Sequence, residues 1–172
     1  MTVIARPHRP RRSTPSTARS LDRRPASPLA TALRLAADDA LWRPALDFDP
    51  ERRYYRRLLA DEHHEAWLLS WLPGQGTDWH DHGGSAGAFV VVQGSLVERT
   101  ARHGVVRGLR RVHRPGGGDE FGAQYVHRVT NEGPDPAVSL HVYAPRLTTQ
   151  RDYVADDGIL RLLRTRAAGA DW

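Results

Sequence analysis

The spacing of apolar residues divides the chain into a helical beginning and a long stretch of short strands. After an N-cap at Ser27 and a proline at the first helical position, apolar residues recur at helical spacing. This pattern predicts one amphipathic helix over about 28–42, with a second short helical piece near Asp49–Arg53. The next helical pattern of comparable quality lies near the C-terminal end, over Ile159–Arg166.

Between these helical stretches the chain consists of short runs that are mostly rich in valine, leucine or aromatic residues. Turns containing glycine or proline separate the runs, as at Pro73-Gly74 and Gly133-Pro134. Short strands at regular intervals predict a mainly β fold, an antiparallel sandwich or barrel that follows a short N-terminal α-helical segment. The predicted strands are Arg56–Ala60, Ala66–Leu72, Ala88–Gln93, Ser95–Thr100, Gly104–Arg110, Tyr125–Asn131 and Ala137–Tyr143.

The positive charge of the chain is concentrated at its beginning. The 172 residues carry a net charge of +5, yet residues 1–25 hold seven arginines against one acid, so the remainder is close to neutral. This Pro/Ser/Thr-rich stretch cannot bury enough apolar surface to become ordered. We therefore expect a disordered tail over 1–25 and a single domain over 26–172. Weak nucleic-acid binding and a transit peptide are the alternatives for the tail, and nucleic-acid binding by the domain is not expected.

Composition restricts the chemistry further. The chain contains no cysteine, which excludes disulfides, zinc–thiolate sites and cysteine nucleophiles within it. Any metal must therefore bind to histidine or carboxylate side chains. The tail lacks the continuous apolar run of a secretory signal or a membrane span. We expect a cytoplasmic, monomeric protein that does not bind membranes.

Two of the nine histidines have the spacing of metal ligands. His80 and His82 alternate along a predicted strand, so both imidazoles project from one face while Asp81 points the other way. Four other histidines are expected in turns or at loop edges, namely His63, His64, His103 and His113. The aromatic residues Trp67, Trp71, Trp79, Phe89 and Phe121 are expected in the core or in a cavity wall.

The glycines around the histidine pair carry a family resemblance. The spacing of His80 and His82 between Gly74 and Gly94 resembles the first conserved motif of the cupin superfamily, with Gly87 where many members have a glutamate ligand. The stretch from Gly116 to Asn131 partly matches the second motif. The resemblance implies a double-stranded β-helix (jelly-roll) barrel in which His127 is the third metal ligand.

Three imidazoles without a carboxylate ligand resemble the thiol dioxygenases, of which cysteine dioxygenase is the best-known member. Three further stretches are similar to that family: Tyr54–Leu58, Val126–Val129 and Ser139–Pro145. The likeness covers roughly residues 50–146. It implies one Fe(II) per chain, held by His80, His82 and His127, although three imidazoles would also accept Zn, Ni, Cu or Mn.

The same resemblance assigns roles to the remaining site residues. Arg56 stands at the position that binds the substrate carboxylate, where Tyr54 would assist by hydrogen bonding. Ser139, His141 and Tyr143 alternate along one strand and would form a catalytic hydroxyl–imidazole–phenol chain. Animal enzymes have a cysteine cross-linked to this tyrosine where this chain has Gly87, so Tyr143 would act unmodified.

The expected reaction is the oxidation of L-cysteine by O₂ to cysteine sulfinate. Neutral imidazole ligands preserve the charge of the metal and so favour a thiolate ligand from the substrate. The nearest alternative is dioxygenation of another thiol acid such as 3-mercaptopropionate, although Arg56 favours cysteine because the resembling mercaptopropionate enzymes tend to have glutamine there. A non-catalytic metal-binding cupin that acts as a sensor is the alternative from a different class.

Overall fold

The computed structural model describes residues 26–168, so the tail predicted over residues 1–25 lies outside the described residues. Helix α1 spans Pro28–Ala36 and begins at Ser27, whose hydroxyl accepts a hydrogen bond from the backbone N–H of Ala30. Helix α2 follows over Asp39–Trp42, and a short 3₁₀ turn spans Arg43–Ala45. The predicted single helix over 28–42 is therefore two helices.

The short helical piece predicted near Asp49–Arg53 is a turn. The carboxylate of Asp49 accepts hydrogen bonds from the backbone N–H groups of Glu51 and Arg52 at 2.9 and 3.3 Å. Such local bonds offer the backbone an alternative to helix, which explains why the helical pattern is not realised here.

The described residues after this turn form a mainly β structure, as predicted. The strands are β1 (Tyr54–Ala60), β2 (Glu65–Trp71), β3 (Trp79–Asp81), β4 (Ala86–Gln93), β5 (Leu96–Arg102), β6 (Val105–His113), β7 (Gly118–Phe121), β8 (Val126–Thr130), β9 (Ala137–Ala144), β10 (Thr149–Asp156) and β11 (Ile159–Ala167).

The strands form two sheets that enclose a barrel interior. One sheet has the order β1-β2-β9-β4-β7, and the strands of the other pair in the closed order β10-β11-β6-β5-β8-β3. Strand β3 closes this ring because it pairs with both β8 and β10. All strand pairs are antiparallel, so residues of alternate parity face the interior along each strand.

The N-terminal helices cover the outer face of the first sheet. Ala32, Leu35 and Trp42 pack there against alternate residues of β2, β4 and β9, including Leu68 and Leu140. The opposite faces of the same strands contribute Trp71 and other residues to a second cluster inside the barrel. Because β2 and β9 are buried on both faces, their sequences are almost continuously apolar instead of alternating.

The helix pattern at the C-terminal end was a wrong prediction. Residues Ile159–Ala167 form strand β11, which pairs with β10 through a tight turn in which Asp157 and Gly158 have φ of 47° and 77°. An Asp-Gly pair with positive φ is typical of a two-residue hairpin. Leu162 and Leu163 are exposed, so the apolar residues whose spacing indicated a helix do not pack against a core. Within residues 26–168, no helix has the length and apolarity needed to cross a membrane.

Candidate metal centre

Three histidine side chains converge inside the barrel. His80 on β3 is directly opposite His127 on β8, and His82 follows β3 by one residue. All three side chains are buried, and one ring nitrogen from each lies within 4.8 Å of the other two. The structure therefore brings together the cluster that the sequence predicted, and strand pairing accounts for the approach of the distant His127.

Hydrogen bonds fix the tautomers of two of these rings. His80 Nδ1 lies 3.0 Å from the carbonyl oxygen of Asp78, and His127 Nδ1 lies 2.7 Å from a carboxylate oxygen of Glu98. Carbonyl and carboxylate oxygens accept hydrogen bonds, so both rings donate from Nδ1 and keep an Nε2 lone pair. Each of these Nε2 atoms is therefore available as a metal ligand.

The environment of the histidines favours their neutral, metal-binding form. Burial lowers the pKa of His80 to about 3, with a further contribution from nearby His127. Burial likewise holds the pKa of His82 well below its usual value. Both ring nitrogens of His82 are buried and have no hydrogen-bond partner among the described residues. A buried polar atom without a partner is costly, and a metal ion would satisfy it, so the site fits a metal.

Asp81 anchors the strand that carries the histidine pair. Its side chain points away from the cluster, as predicted, and accepts hydrogen bonds from Tyr153 Oη at 2.6 Å and from the backbone N–H of Gly83 at 2.9 Å. Arg151 forms an ion pair with it at 2.9 Å. These bonds connect β3 to β10 and hold the backbone between His80 and His82 in place.

A phenylalanine ring occupies the space beside Gly87. Phe121 lies opposite Gly87 across β4 and β7, and its ring stacks on His82 with centroids 4.7 Å apart. A Cβ atom on Gly87 would lie 2.8 Å from this ring and 2.7 Å from the carbonyl oxygen of Val142. No side chain fits there without displacement of its neighbours, so neither a glutamate ligand nor a cysteine is accommodated at this position.

The predicted hydroxyl–imidazole–phenol chain is present on β9. Ser139 Oγ lies 2.9 Å from His141 Nε2, and Tyr143 Oη lies 3.5 Å from His141 Nδ1. Trp71 Nε1, which can only donate, adds a fourth member by bonding to Ser139 Oγ at 2.9 Å. The structure thus brings Ser139, His141 and Tyr143 together beside the metal cluster, where the rings of Tyr143 and His82 have centroids 5.1 Å apart.

Of the arginines at the start of β1, Arg53 lines the cavity and the predicted Arg56 does not. Strand β1 pairs with β2 so that Tyr55 is opposite Leu69, a residue that faces the barrel interior, whereas Arg56 is opposite Leu68, which faces the helices. Tyr55 therefore points to the interior, and the side chain of Arg56 is exposed on the other face of the strand. The structure does not bring Arg56 into the cavity.

Tyr54 shares the outer face with Arg56. Its hydroxyl donates to the carbonyl oxygen of Ala45, 3.1 Å away in the 3₁₀ turn, so it holds the helical segment against the sheet. Tyr55 instead packs against the interior cluster, with its ring 6.1 Å from that of Trp67. The structure does not bring the predicted substrate-binding Tyr54 into the cavity.

Arg53 has the environment of an anion-binding residue. Its guanidinium lies over the ring of Trp71, with the central carbon 4.8 Å from the ring centroid. Its Nε atom is buried without a hydrogen-bond partner among the described residues. Burial lowers the pKa of Arg53 to about 10, so the side chain remains a cation at neutral pH. A cation with a buried, unused donor is stabilised by an anionic ligand.

These groups line one small cavity of about 190 Å³. Pockets for drug-sized ligands have about 300–1,000 Å³, so this cavity fits a molecule of few atoms. Strands β10 and β11 supply its remaining polar wall, where Asp152 is completely buried and forms ion pairs with Arg164 at 2.8 Å and Arg166 at 3.0 Å. The residues that line the cavity include Arg53, Trp71, His80, His127, His141, Tyr143, Gln150, Arg164 and Arg166.

Another histidine has a role that its predicted position did not indicate. His113, expected at a loop edge, is the last residue of β6, and it is buried there with its Nε2 3.1 Å from Glu98. Glu98 itself was not recognised in the sequence as part of the site. The one available signal was an acidic residue between Val97 and Arg99 in a strand whose preceding residues are apolar.

The barrel and its buried histidine cluster define a metal-binding cupin, and solved structures agree with this fold. TT1209 from Thermus thermophilus has a TM-score of 0.53 and 28% identity over 60% of this chain and 93% of that protein. A protein with a double-stranded β-helix domain from Klebsiella pneumoniae also scores 0.53, with 16% identity over 71% of this chain and 93% of that one. A cupin superfamily protein from Desulfitobacterium hafniense scores 0.50, with 12% identity, 60% of this chain and 87% of that one covered.

The family follows from the sequence match. The model of the family described as cysteine dioxygenase type I matches residues 28–156, about three quarters of the chain. The chain therefore belongs to the cysteine dioxygenase type I family, and the predicted resemblance is confirmed. No curated protein sequence matches it. Membership in this family points to a dioxygenase-type enzyme that acts on a small molecule and O₂.

Proposed function

We propose that this protein is a thiol dioxygenase that holds one Fe(II) per chain and converts L-cysteine and O₂ to cysteine sulfinate. The observation that carries the proposal is one small cavity lined both by histidines of the metal cluster and by Arg53, whose buried Nε atom has no hydrogen-bond partner among the described residues. Such a cavity suits a molecule with a metal-binding thiol at one end and a carboxylate at the other. Both oxygen atoms would pass to sulfur, so no further reductant is needed.

His80, His82 and His127 would hold the metal. Three nitrogen donors on one side leave open coordination positions on the other, and imidazole suits iron as well as several other divalent metals. Ferrous iron in this site would bind the substrate as a thiolate and activate O₂. The protein supplies neutral ligands because burial keeps the pKa of His80 and of His82 far below neutral pH.

Arg53 would bind the substrate carboxylate in place of Arg56. Its guanidinium is held in position by the ring of Trp71, and its buried Nε offers a charge-assisted hydrogen bond. Because cysteine and 3-mercaptopropionate both carry a carboxylate, Arg53 supports either substrate. The choice between them is therefore left to the experiment below.

The hydrogen-bonded residues on β9 would hold Tyr143 in position as a neutral phenol. Trp71 Nε1 donates to Ser139 Oγ, which lies 2.9 Å from His141 Nε2, and His141 Nδ1 lies 3.5 Å from Tyr143 Oη. Burial holds the pKa of His141 well below its usual value, so the ring is neutral. Burial also raises the pKa of Tyr143, which keeps the hydroxyl protonated, and Tyr143 would act in this form as a proton donor.

The test is turnover by protein loaded anaerobically with Fe(II). We expect O₂ uptake with cysteine to match sulfinate formation one to one, and 3-mercaptopropionate to be the slower substrate. If only 3-mercaptopropionate is turned over, that thiol would be the substrate in place of cysteine. No turnover of either thiol by fully loaded protein would leave the metal-binding sensor as the function.

The two arginines provide a matched pair of variants for the same assay. Arg53→Gln is expected to raise KM for cysteine by about 10–100-fold, because a charge-assisted bond to the carboxylate contributes about 1.5–3 kcal/mol. Arg56→Gln makes the same chemical change on the outer face of β1 and should leave KM within about twofold, as an exposed surface charge would. The reverse result would restore Arg56 as the carboxylate-binding residue.

A further inference from the structure

We propose that Glu98 is a positioning residue of the metal centre, which holds His127 in its metal-binding tautomer and places one negative charge directly behind it. This role rests on the proposed metal site. It makes the three histidines unequal ligands, since of the three only His127 is hydrogen-bonded to a carboxylate among the described residues. Tyr125 and His113 would be the residues that keep the Glu98 carboxylate in place.

Strand pairing explains how Glu98 reaches both histidines. It lies on β5, which runs between β6 and β8, and it is opposite Val129 on β8 and Arg111 on β6. His127 is two residues from Val129, and His113 is two residues from Arg111. They are therefore diagonal neighbours of Glu98 on the same face of the sheet, within reach of a long side chain.

The carboxylate is completely buried and has three donors. Its Oε1 accepts from His127 Nδ1 at 2.7 Å and from Tyr125 Oη at 3.1 Å, and its Oε2 accepts from His113 Nε2 at 3.1 Å. All three neighbouring groups can donate hydrogen bonds, so this environment fits Glu98 as a carboxylate, which can only accept them.

The other two ligands of the cluster lack this support. His80 Nδ1 donates to a neutral carbonyl oxygen, and both ring nitrogens of His82 are without a hydrogen-bond partner among the described residues. A carboxylate behind a ligating histidine fixes the tautomer, orients the ring and increases the basicity of the ligand nitrogen. Loss of such a partner typically weakens metal binding by about 10–100-fold. We expect this effect at His127.

Two substitutions can test the charge of Glu98 separately from its position. The Tyr125 hydroxyl donates to Glu98, and the Tyr125 ring stacks on that of Phe121 with centroids 5.3 Å apart. Tyr125→Phe would remove one hydrogen bond but keep the charge of Glu98. Glu98→Gln would keep the shape but remove the charge. The two variants therefore distinguish an electrostatic role from a purely steric one.

Co(II) binding to the metal-free protein tests the proposal without reference to turnover. We expect wild type to bind one Co(II) per chain, and Glu98→Gln to bind it about 10–100-fold more weakly with shifted visible absorption bands. Tyr125→Phe should have a smaller effect than the about 10–100-fold expected for Glu98→Gln, because it leaves the charge of Glu98 and its bond to His127 in place. Circular dichroism and size-exclusion chromatography establish that the variants are folded.

Three outcomes contradict the proposal. An unchanged dissociation constant and spectrum in folded Glu98→Gln would show that the charge of Glu98 plays no part. Two Co(II) ions per wild-type chain, with only the second lost in the variant, would instead make Glu98 a ligand, together with His113 and Asp119, the other cluster of potential ligands within residues 26–168. No Co(II) binding by wild type would remove the metal site and the proposed function with it.

The tautomer of His127 can also be read in the wild-type protein, which keeps the proposal testable if Glu98→Gln does not fold. Nitrogen-15 NMR of the metal-free protein distinguishes Nδ1–H from Nε2–H imidazoles. We expect His127 as the Nδ1–H form, with a proton protected from exchange by its bond to Glu98. A His127 ring protonated on Nε2 would overturn the assignment.

Discussion

Gly87 offers a direct test of how the metal cluster is packed. A methyl group at this position would lie 2.7 Å from the Val142 carbonyl oxygen and 2.8 and 2.9 Å from two ring carbons of Phe121. The first contact is with backbone, which cannot move without disturbing β9, and the others are with a ring that stacks on His82. Gly87→Ala should therefore strain the structure, although alanine is among the smallest side chains.

The expected cost follows from the size of the conflict. Insertion of one methyl group into a well-packed core typically destabilises by about 1–3 kcal/mol. For a domain of this length, each kcal/mol lowers Tm by about 2–4 °C, so Gly87→Ala should melt roughly 2–12 °C below wild type. Thermal unfolding of the metal-free proteins, followed by circular dichroism, measures the difference. Gly87→Cys should be at least as destabilised, because its Cβ atom would meet the same atoms.

A matched control and a double variant identify the cause of the loss. Gly108 lies on β6, and a Cβ atom added there would have nothing within 4 Å, so Gly108→Ala should leave Tm unchanged or slightly raised. Phe121→Leu combined with Gly87→Ala should be less destabilised than the sum of the two single changes, because it removes the ring contacts. A Gly87→Ala protein that melts with wild type, or strict additivity of the pair, would refute the packing argument.

Three further predictions concern the same site. Tyr143→Phe should lower kcat by about 10²–10⁴-fold while the Co(II) dissociation constant stays unchanged, and an equal loss of metal binding would contradict a proton-donating role. Asp81→Asn should lower the free energy of unfolding by about 1–3 kcal/mol in urea titrations, because Arg151 and Tyr153 lose a buried charged partner, and it should also weaken Co(II) binding. The metal-free protein should lose stability as pH falls from 6.5 towards 3, because the unfolded chain takes up protons that folded His80, with its pKa of about 3, does not. Urea unfolding at several pH values checks the sign, and a free energy of unfolding that is constant over this window would contradict it.

The sequence predicts which face of the strand the side chains occupy at the histidine pair, but not on the edge strand. His80 and His82 flank a single residue, so any strand through them places both rings on one face. The sequence at the start of the edge strand β1 instead consists of pairs of identical residues. Each residue type therefore occurs on both faces of the strand. The pairs are Arg52-Arg53, just before β1, then Tyr54-Tyr55 and Arg56-Arg57. Such a pattern carries no alternation, and the pairing with β2 also shifts register after Arg57. The family resemblance selected Arg56 for the substrate carboxylate, and local spacing could not show that Arg53 lines the cavity instead.

The spacing of residues along the chain could not predict contacts between side chains on different strands. Glu98 is 29 positions from His127 and 15 positions from His113, and only the order of β6, β5 and β8 brings the three together. The selection of His127 from the other histidines depended on the family resemblance for the same reason. The C-terminal strand shows the complementary limit, because its apolar spacing resembles a helix while the Asp157-Gly158 turn determines a hairpin.

Gly87 and Glu98 together determine where a negatively charged side chain can lie near the metal site. A glutamate ligand at position 87 would both neutralise one unit of charge and occupy a coordination position, and Phe121 together with the Val142 carbonyl excludes it sterically. In the proposed arrangement, Glu98 instead places its charge behind His127 through the hydrogen bond to His127 Nδ1, and it does not line the cavity beside Arg53 and Tyr143. Glu98→Gln and Gly87→Ala should therefore affect different properties. Glu98→Gln should weaken metal binding, because Glu98 is hydrogen-bonded to His127. Gly87→Ala should lower the melting temperature, because the added methyl group would meet Phe121 and the Val142 carbonyl oxygen.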